Sequence, residues 1–251
     1  MGRVISDRRR GTPRREQSAC SIMIPMKTLV IIPAYNEEGS VEDTVNSLKE
    51  TAPDIDYIVI NDGSSDRTKE LCVKNNFNIV SLPINIGLAG AFQTGMKHAH
   101  RQHYDAALQF DADGQHKPDF IQILIDTMVD TGADIVIGSR FVENKKPFSA
   151  RMIGANLISA FVKLTTGKYI NDPTSGMRLY NKKMIELFAT RMDFTPEPET
   201  LAYCLRKGVK LVEVPVEMQE RSSGESYLSA SKSVAYMLRV CISILFLQWF
   251  R

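Results

Sequence analysis

Two aspartates one residue apart, Asp111 and Asp113, close an apolar run at Ala107–Phe110 and precede a Pro-led helical segment. At a strand end, alternate side chains point the same way, so both carboxylates can face one hard cation, Mg²⁺ or Mn²⁺, beside a diphosphate. Such a pair also arises by chance. Asp54-Ile55-Asp56 is one that precedes a strand and reads as a solvated turn, and a capped turn before Pro118 is the plain alternative for Asp111 and Asp113. A second cluster, Asn61-Asp62-Gly63-Ser64-Ser65-Asp66, follows another apolar run. Its Ser and Asp side chains suit a helix N-cap, and a carboxylate there can also accept an N–H of uracil or guanine once a pocket excludes water. Pro33-Ala34-Tyr35-Asn36-Glu37-Glu38 adds a ring beside it, although Tyr35 alone reads more readily as a core aromatic.

Arginine holds phosphate oxygens in a bidentate way that lysine does not. Arg140, Arg151, Arg178 and Arg221 lie among small residues in the second half, each by itself reading as a surface residue. Arg221 sits in the polar, Gly-containing stretch Gln219–Ser226, which reads as a mobile loop, and is the best placed to meet an anion. Asn85-x-Gly87-x-x-Gly90 lacks the Gly-x-Gly-x-x-Gly spacing and follows a third strand, which disfavours a dinucleotide-binding dehydrogenase.

Positioning these groups requires a regular scaffold. Apolar runs at Thr28–Pro33, Tyr57–Ile60, Ile79–Leu82, Ala107–Phe110 and Ile135–Ile137 predict strands, and the helical segments Ser40–Leu48, Asp66–Lys74, Leu88–His100 and Pro118–Thr131 alternate with them. This order predicts an α/β fold with a doubly wound, mostly parallel sheet, whose ligands sit at the carboxyl ends of the strands. Polar residues follow all five strands, which defines one site. Ala91, Gly95 and Ala99 form a small-residue helix face for close packing on the sheet. Beyond Arg151 the alternation weakens: a helix to about Leu164, the turn-rich segment 171–176, helices at Lys182–Ala189 and Thr200–Lys207, and a strand at Leu211–Val216.

With 251 residues and 43% hydrophobic content, the chain can bury one full core. Six of the 31 basic residues but only two of the 29 acidic ones lie in residues 1–25, so the body is slightly acidic and is no nucleic-acid binder by charge. Residues 1–25 lack the apolar stretch of a secretory signal and read as a disordered basic arm, with one domain over 26–228 and an apolar C-terminal helix over 229–251. The four widely spaced cysteines suggest neither zinc nor a disulfide framework, which fits a reducing cytoplasm. In the tail, Val240–Leu247 is far shorter than the roughly 20 residues needed to cross a bilayer. Lys232, Tyr236, Arg239 and Ser243 give it one polar stripe. Two expectations follow: an interfacial helix, with Trp249 at headgroup depth and Arg239 and Arg251 near anionic lipid, or a helix packed on this domain or on a second subunit of a homodimer.

Taken in order and spacing, Pro-Ala-Tyr-Asn-Glu-Glu, Asn-Asp-Gly-Ser-Ser-Asp, Asp-Ala-Asp-Gly-Gln, Gly-Ser-Arg, Asp-Pro-Thr-Ser-Gly-Met-Arg and Glu-Val-Pro-Val with Arg-x-x-Gly-x-Ser resemble the family 2 glycosyltransferases, most nearly their polyprenyl-phosphate sugar synthases. The resemblance implies a GT-A fold with a nucleotide-binding half and an acceptor half. It implies an inverting transfer from a nucleotide sugar to a polyprenyl phosphate or lipid-linked glycan, in cell-envelope synthesis at the inner face of the membrane. By motif position it implies a base pocket at Pro33, Tyr35, Glu37 and Asp62, and a metal held by Asp111, Asp113 and Gln115. Acceptor-phosphate contacts fall at Arg140 and Arg151, and a diphosphate contact at Arg221. Ala155 departs from the serine expected there, with Asn156 and Ser159 nearby. A sugar-hydroxyl acceptor would need a carboxylate base, for which Asp172, Glu197 and Glu199 are the candidates; a nucleotidyltransferase is the rival class.

Overall fold

The computed structural model describes residues 26–143, 150–219 and 230–246. The basic arm of residues 1–25, Arg221 with most of the Gln219–Ser226 loop, and Trp249–Arg251 lie outside the described residues, as does the Arg151 side chain. The chain runs β1 (Thr28–Ala34), α1 (Val41–Thr51), β2 (Asp56–Asn61), α2 (Thr68–Lys74), β3 (Ile79–Ser81), α3 (Gly87–Arg101), β4 (Ala106–Gln109), a 3₁₀ turn (Pro118–Phe120) and α4 (Ile121–Thr131). The second half continues with β5 (Ile135–Ser139), α5 (Ala150–Thr166), β6 (Arg178–Asn181), α6 (Lys182–Thr190), α7 (Pro198–Arg206), β7 (Leu211–Pro215) and α8 (Ala230–Leu245).

β1 is an unbroken apolar run because it lies at the sheet's interior and is buried on both faces. Leu29 and Ile31 enter one core with α3, α5, α6, α7 and α8, while Val30 and Ile32 enter a second core with α1, α2 and α4. Among the described residues, the two cores sandwich a seven-stranded sheet of order β3-β2-β1-β4-β6-β5-β7. Ala91 and Ala99 are fully covered, and a β-carbon on Gly95 would fall 2.3 Å from Ile31 Cγ2, so the small face of α3 brings its backbone close to β1.

β6 is the element that periodicity missed. Only four residues long, with an arginine at its start, it inserts antiparallel between β4 and β5 and makes the sheet mixed. Arg178, expected at the surface, is 2% exposed; its Nη1 donates to the Pro196 carbonyl at 2.8 Å and its Nη2 to the Pro173 carbonyl at 2.7 Å. A charge can be buried there because its two carbonyl acceptors replace part of its water.

The C-terminal helix packs on its own domain. Val240, Cys241 and Ile244 of α8 are buried in the core shared with α5 and α7, and the Tyr236 hydroxyl donates to Glu197 at the head of α7. Leu238, Ile242 and Phe246, four residues apart, remain exposed on its other side. Among the described residues no helix is long and apolar enough to cross a membrane.

Candidate functional site

The carboxyl ends of β1, β2, β3 and β4 point the same way because these strands are mutually parallel. Their following loops enclose a cavity of about 510 Å³. Pro33, Tyr35 and Glu37 come from the β1 end, Asp62 from β2, Asn85, Gly87 and Leu88 from the β3–α3 connection, and Asp111 and Asp113 from β4. Six of the site residues named from the sequence, Pro33, Tyr35, Glu37, Asp62, Asp111 and Asp113, therefore line one cavity.

The two loops following β1 and β2 form a single unit. Asn36, at φ 55, donates its N–H to Ser64 Oγ at 3.0 Å, and its side-chain oxygen accepts the Ser65 N–H at 2.9 Å. Glu37 N–H donates to Thr68 Oγ1 at 2.9 Å, and Glu38 N–H to Asp66 Oδ2 at 3.0 Å. Asp66, just before α2, accepts the N–H of Thr68, the first residue of that helix, on Oδ1 at 3.0 Å. Asp62, only 2% exposed, serves a different helix from the one its sequence position suggests: its oxygens accept the N–H groups of Ile86 and Gly87, both at 2.8 Å, at the head of α3. Each oxygen keeps a lone pair beyond that bond. Gly63, at φ 64, lets this turn pass beneath the β3–α3 loop, since a β-carbon there would fall 2.5 Å from the Ile84 carbonyl carbon.

Asp111 is held from several sides. His116 Nε2 lies 3.3 Å from Oδ2, Gln109 Nε2 donates to Oδ1 at 3.4 Å, and the Thr44 hydroxyl of α1 fixes the Ala112 carbonyl at 3.1 Å. Burial works to raise the Asp111 carboxyl, but the His116 bond and charge, Gln109 and the Arg178 guanidinium outweigh it and hold the group below the usual carboxylate range. The register explains Arg178 and one further contact. Because β4 and β6 pair antiparallel with Gln109 opposite Arg178, residue 111 lies opposite residue 176, where glycine leaves room for the carboxylate.

Among the described residues no three His, Cys, Asp or Glu side chains form a metal cage of their own. Two carboxylates at a cavity fit Mg²⁺ or Mn²⁺ better, since such ions take one or two protein carboxylates and complete their shell with water and substrate phosphates. Gln115 is not on the cavity wall; its N–H donates to Asp113 Oδ1 at 3.1 Å and its carbonyl accepts the Gln219 N–H at 2.9 Å.

The residues that the sequence reading assigns to the acceptor form other groups. Asp172 is fully buried, and its Oδ2 and Oδ1 accept Arg140 Nε at 2.7 Å and Nη2 at 2.8 Å. With both oxygens on a guanidinium and no exposed lone pair, Asp172 lacks the access that a proton acceptor requires. Glu197 accepts the Tyr236 hydroxyl, and Glu199 is 8% exposed. Ser159, one of the substitutes for the serine missing at 155, is buried with its hydroxyl on the Ala155 carbonyl at 3.0 Å, one turn back in its own helix. His116 and Leu88 were given no role from the sequence, although His116 directly follows Asp-Ala-Asp-Gly-Gln; Gly176 and Glu213 fell within the quoted motifs Asp-Pro-Thr-Ser-Gly-Met-Arg and Glu-Val-Pro-Val without a role of their own.

Residues 29–188 match the model of a family described as glycosyl transferase family 2. The chain is 29% identical to the polyprenol monophosphomannose synthase of Mycolicibacterium smegmatis, over 90% of this chain and 91% of the relative. It is 31% identical to the undecaprenyl-phosphate mannosyltransferase of Micrococcus luteus, over 81% of this chain and 88% of the relative. Among solved structures, glucosyl-3-phosphoglycerate synthase from Mycobacterium tuberculosis, in complex with Mn²⁺, uridine diphosphate and phosphoglyceric acid, superposes with a TM-score of 0.63 at 17% identity, covering 89% of this chain and 78% of that one. The architecture is the GT-A fold.

Proposed function

Since the chain belongs to glycosyltransferase family 2, we propose that it transfers a sugar, with inversion, from a nucleoside-diphosphate sugar to a polyprenyl phosphate. The names of its relatives support this acceptor. One observation carries the reading: a single cavity is lined both by the Tyr35 ring and the Asp62 carboxylate and by the carboxylates of Asp111 and Asp113, which suit a cation bridging to a diphosphate.

In this reading Tyr35, Pro33 and Glu37 enclose the nucleobase and Asp62 accepts its N–H with a remaining lone pair. Asp111 and Asp113, with Gln115 beside them, would hold Mg²⁺ or Mn²⁺, which when bound supplies charge stabilisation to the departing diphosphate. Arg140 and Arg151 meet the acceptor phosphate. A phosphate monoester has its second pKa at about 6 and is already ionised at neutral pH, so it attacks without a general base. The buried Asp172, the Glu197–Tyr236 bond and the buried Glu199 favour such an acceptor over a sugar hydroxyl, which would need one of these carboxylates free.

A peripheral contact with the cytoplasmic face of a membrane follows from the acceptor. Helices α5 and α8 pack together, and each exposes apolar side chains: Ile153, Leu157 and Leu164 on α5, Leu238 and Ile242 on α8, with Phe246 just after it. Such a surface suits the interface of a bilayer that carries the lipid acceptor.

The test is to incubate the protein with Mn²⁺ or Mg²⁺, a panel of nucleotide sugars and undecaprenyl phosphate, following nucleoside diphosphate and glycolipid together. Equal yields of the two products are expected. Pyrophosphate release from a triphosphate, or transfer to sugar hydroxyls alone, would overturn the proposal.

A further inference from the structure

We propose that Glu213 is a positioning residue for sugar transfer, aiming the Arg140 guanidinium through Asp172. This rests on the reading that Arg140 meets the acceptor phosphate. Glu213 is the central residue of β7, an edge strand, in register with Ile137 of β5. A mid-strand glutamate at an edge ordinarily faces water. Here it is half-buried, and its carboxylate takes three N–H bonds: Asn171 N–H at 2.7 Å and Asn171 Nδ2 at 2.9 Å on Oε2, and Asp172 N–H at 2.9 Å on Oε1.

Those bonds fix the backbone from which the buried Asp172 side chain projects. Asp172 in turn grips Arg140 at Nε and Nη2 and accepts the Arg140 N–H at 3.3 Å. Thr174 Oγ1 lies 3.5 Å from the same Nη2. A planar guanidinium held along two of its nitrogens cannot swivel. Its Nη1 is left with no hydrogen-bond partner among the described residues, and the side chain is 22% exposed. A lysine would form no such fork. A buried carboxylate also holds an arginine in place only while its own backbone is fixed; Glu213 fixes it from the N–H side, while the Ser175 N–H at 3.2 Å holds the Asp172 carbonyl and Arg178 the Pro173 carbonyl at 2.7 Å.

The experiment compares wild type, Glu213→Gln and Glu213→Asp by two readouts. The first is exchange with water of the Arg140 Nε–H, assigned by nuclear magnetic resonance from its loss in Arg140→Lys. Gln offers one acceptor oxygen where Glu has two and turns an amide N–H toward a backbone N–H, so exchange should quicken by about 10-fold or more as the fork loosens. The second is steady-state transfer to undecaprenyl phosphate. The acceptor KM should rise by about 10-fold, with nucleoside diphosphate affinity changing by less than about 2-fold, and Glu213→Gln should add less than about 2-fold in an Arg140→Ala background.

Unchanged Arg140 exchange in the folded variants overturns the proposal, as does a Glu213→Gln effect that persists undiminished in Arg140→Ala. If both Glu213 variants fail to fold, the residue is a core element of the fold and the proposal is also overturned. Quickened exchange in a protein whose wild type transfers nothing to undecaprenyl phosphate supports the positioning role and overturns the acceptor reading instead.

Discussion

The backbone of Gly176 passes so close to Asp111 that a β-carbon on residue 176 would lie 2.0 Å from Asp111 Oδ2. The glycine is needed for space and not for backbone freedom, because its φ lies outside the left-handed region. Gly176→Ala should therefore displace the carboxylate, lowering transfer by about 10-fold or more through loss of placement by an ångström or so. Weaker Mn²⁺-dependent nucleotide binding in calorimetry, with little change in far-ultraviolet circular dichroism, is the expected pattern. Normal metal affinity in this variant would show that Asp111 adjusts freely.

Asp113→Asn keeps the shape of the side chain and removes its charge. Transfer should fall by at least about 100-fold, a few kcal/mol of transition-state stabilisation, with the melting temperature nearly unchanged. EDTA should abolish wild-type turnover, and Mn²⁺ or Mg²⁺ should restore it. Activity that survives both treatments would sink the metal assignment.

Asp62 supports the start of α3 and borders the cavity, so its loss should register in two assays. Asp62→Asn retains one acceptor oxygen for two N–H donors; the Gly87 N–H also reaches Asn85 Oδ1 at 3.2 Å, so loss of the oxygen facing Ile86 is the costlier outcome. A destabilisation of about 1–2 kcal/mol is expected in urea unfolding, as for loss of a helix cap. Nucleotide affinity should drop in the same variant. A drop in neither quantity would remove Asp62 from both roles.

The Tyr236–Glu197 bond ties α8 to α7 and has a pH signature. Burial first, then the Glu197 charge and bond and the nearby Glu199, push the Tyr236 phenol up from its usual value of 10.0. The folded state then binds this proton more tightly than the unfolded state, so the stability it contributes is whole below pH 10 and lost as pH rises above it toward the folded value. Tyr236→Phe should cost about 1–3 kcal/mol at pH 7 by leaving a carboxylate oxygen without its donor. It should also flatten the decline in melting temperature above pH 10. An equally steep alkaline decline in the variant would place its origin elsewhere.

Charge on the exposed faces of α5 and α8 tests the membrane contact without touching the core. Leu238→Glu with Ile242→Glu, and Ile153→Glu with Leu157→Glu, alter side chains that are at least 43% exposed. Each pair should greatly reduce co-sedimentation with anionic liposomes while leaving donor hydrolysis in detergent near wild type. Sedimentation velocity on the same proteins covers the homodimer alternative: a dimer that dissociates on these substitutions, with liposome binding absent in wild type, would assign the surface to a second copy.

The sequence by itself determined the parts that depend on local order. Apolar runs of strand length followed by polar turns located β1 to β5, and their alternation with helices dictated a parallel sheet with its cavity at the carboxyl ends. Asp62, Asp111 and Asp113 stand out because each comes shortly after the apolar run of its strand, whereas Pro33 and Glu37 were named by their place in a family motif; with Tyr35, all line the cavity. Tertiary structure alone decided how distant segments pair. β6 has too few residues to show a period and opens on an arginine, so only its two neighbours identify it as a strand. From its register come the approach of Gly176 to Asp111 and the burial of Arg178. Capping of α3 by Asp62, the clamp of Asp172 on Arg140, and the choice by α8 of α5 and α7 as packing partners likewise join residues far apart in the chain. A side chain's type states which hydrogen bonds it can make, but its partner is set by which backbone the fold brings within about 3 Å.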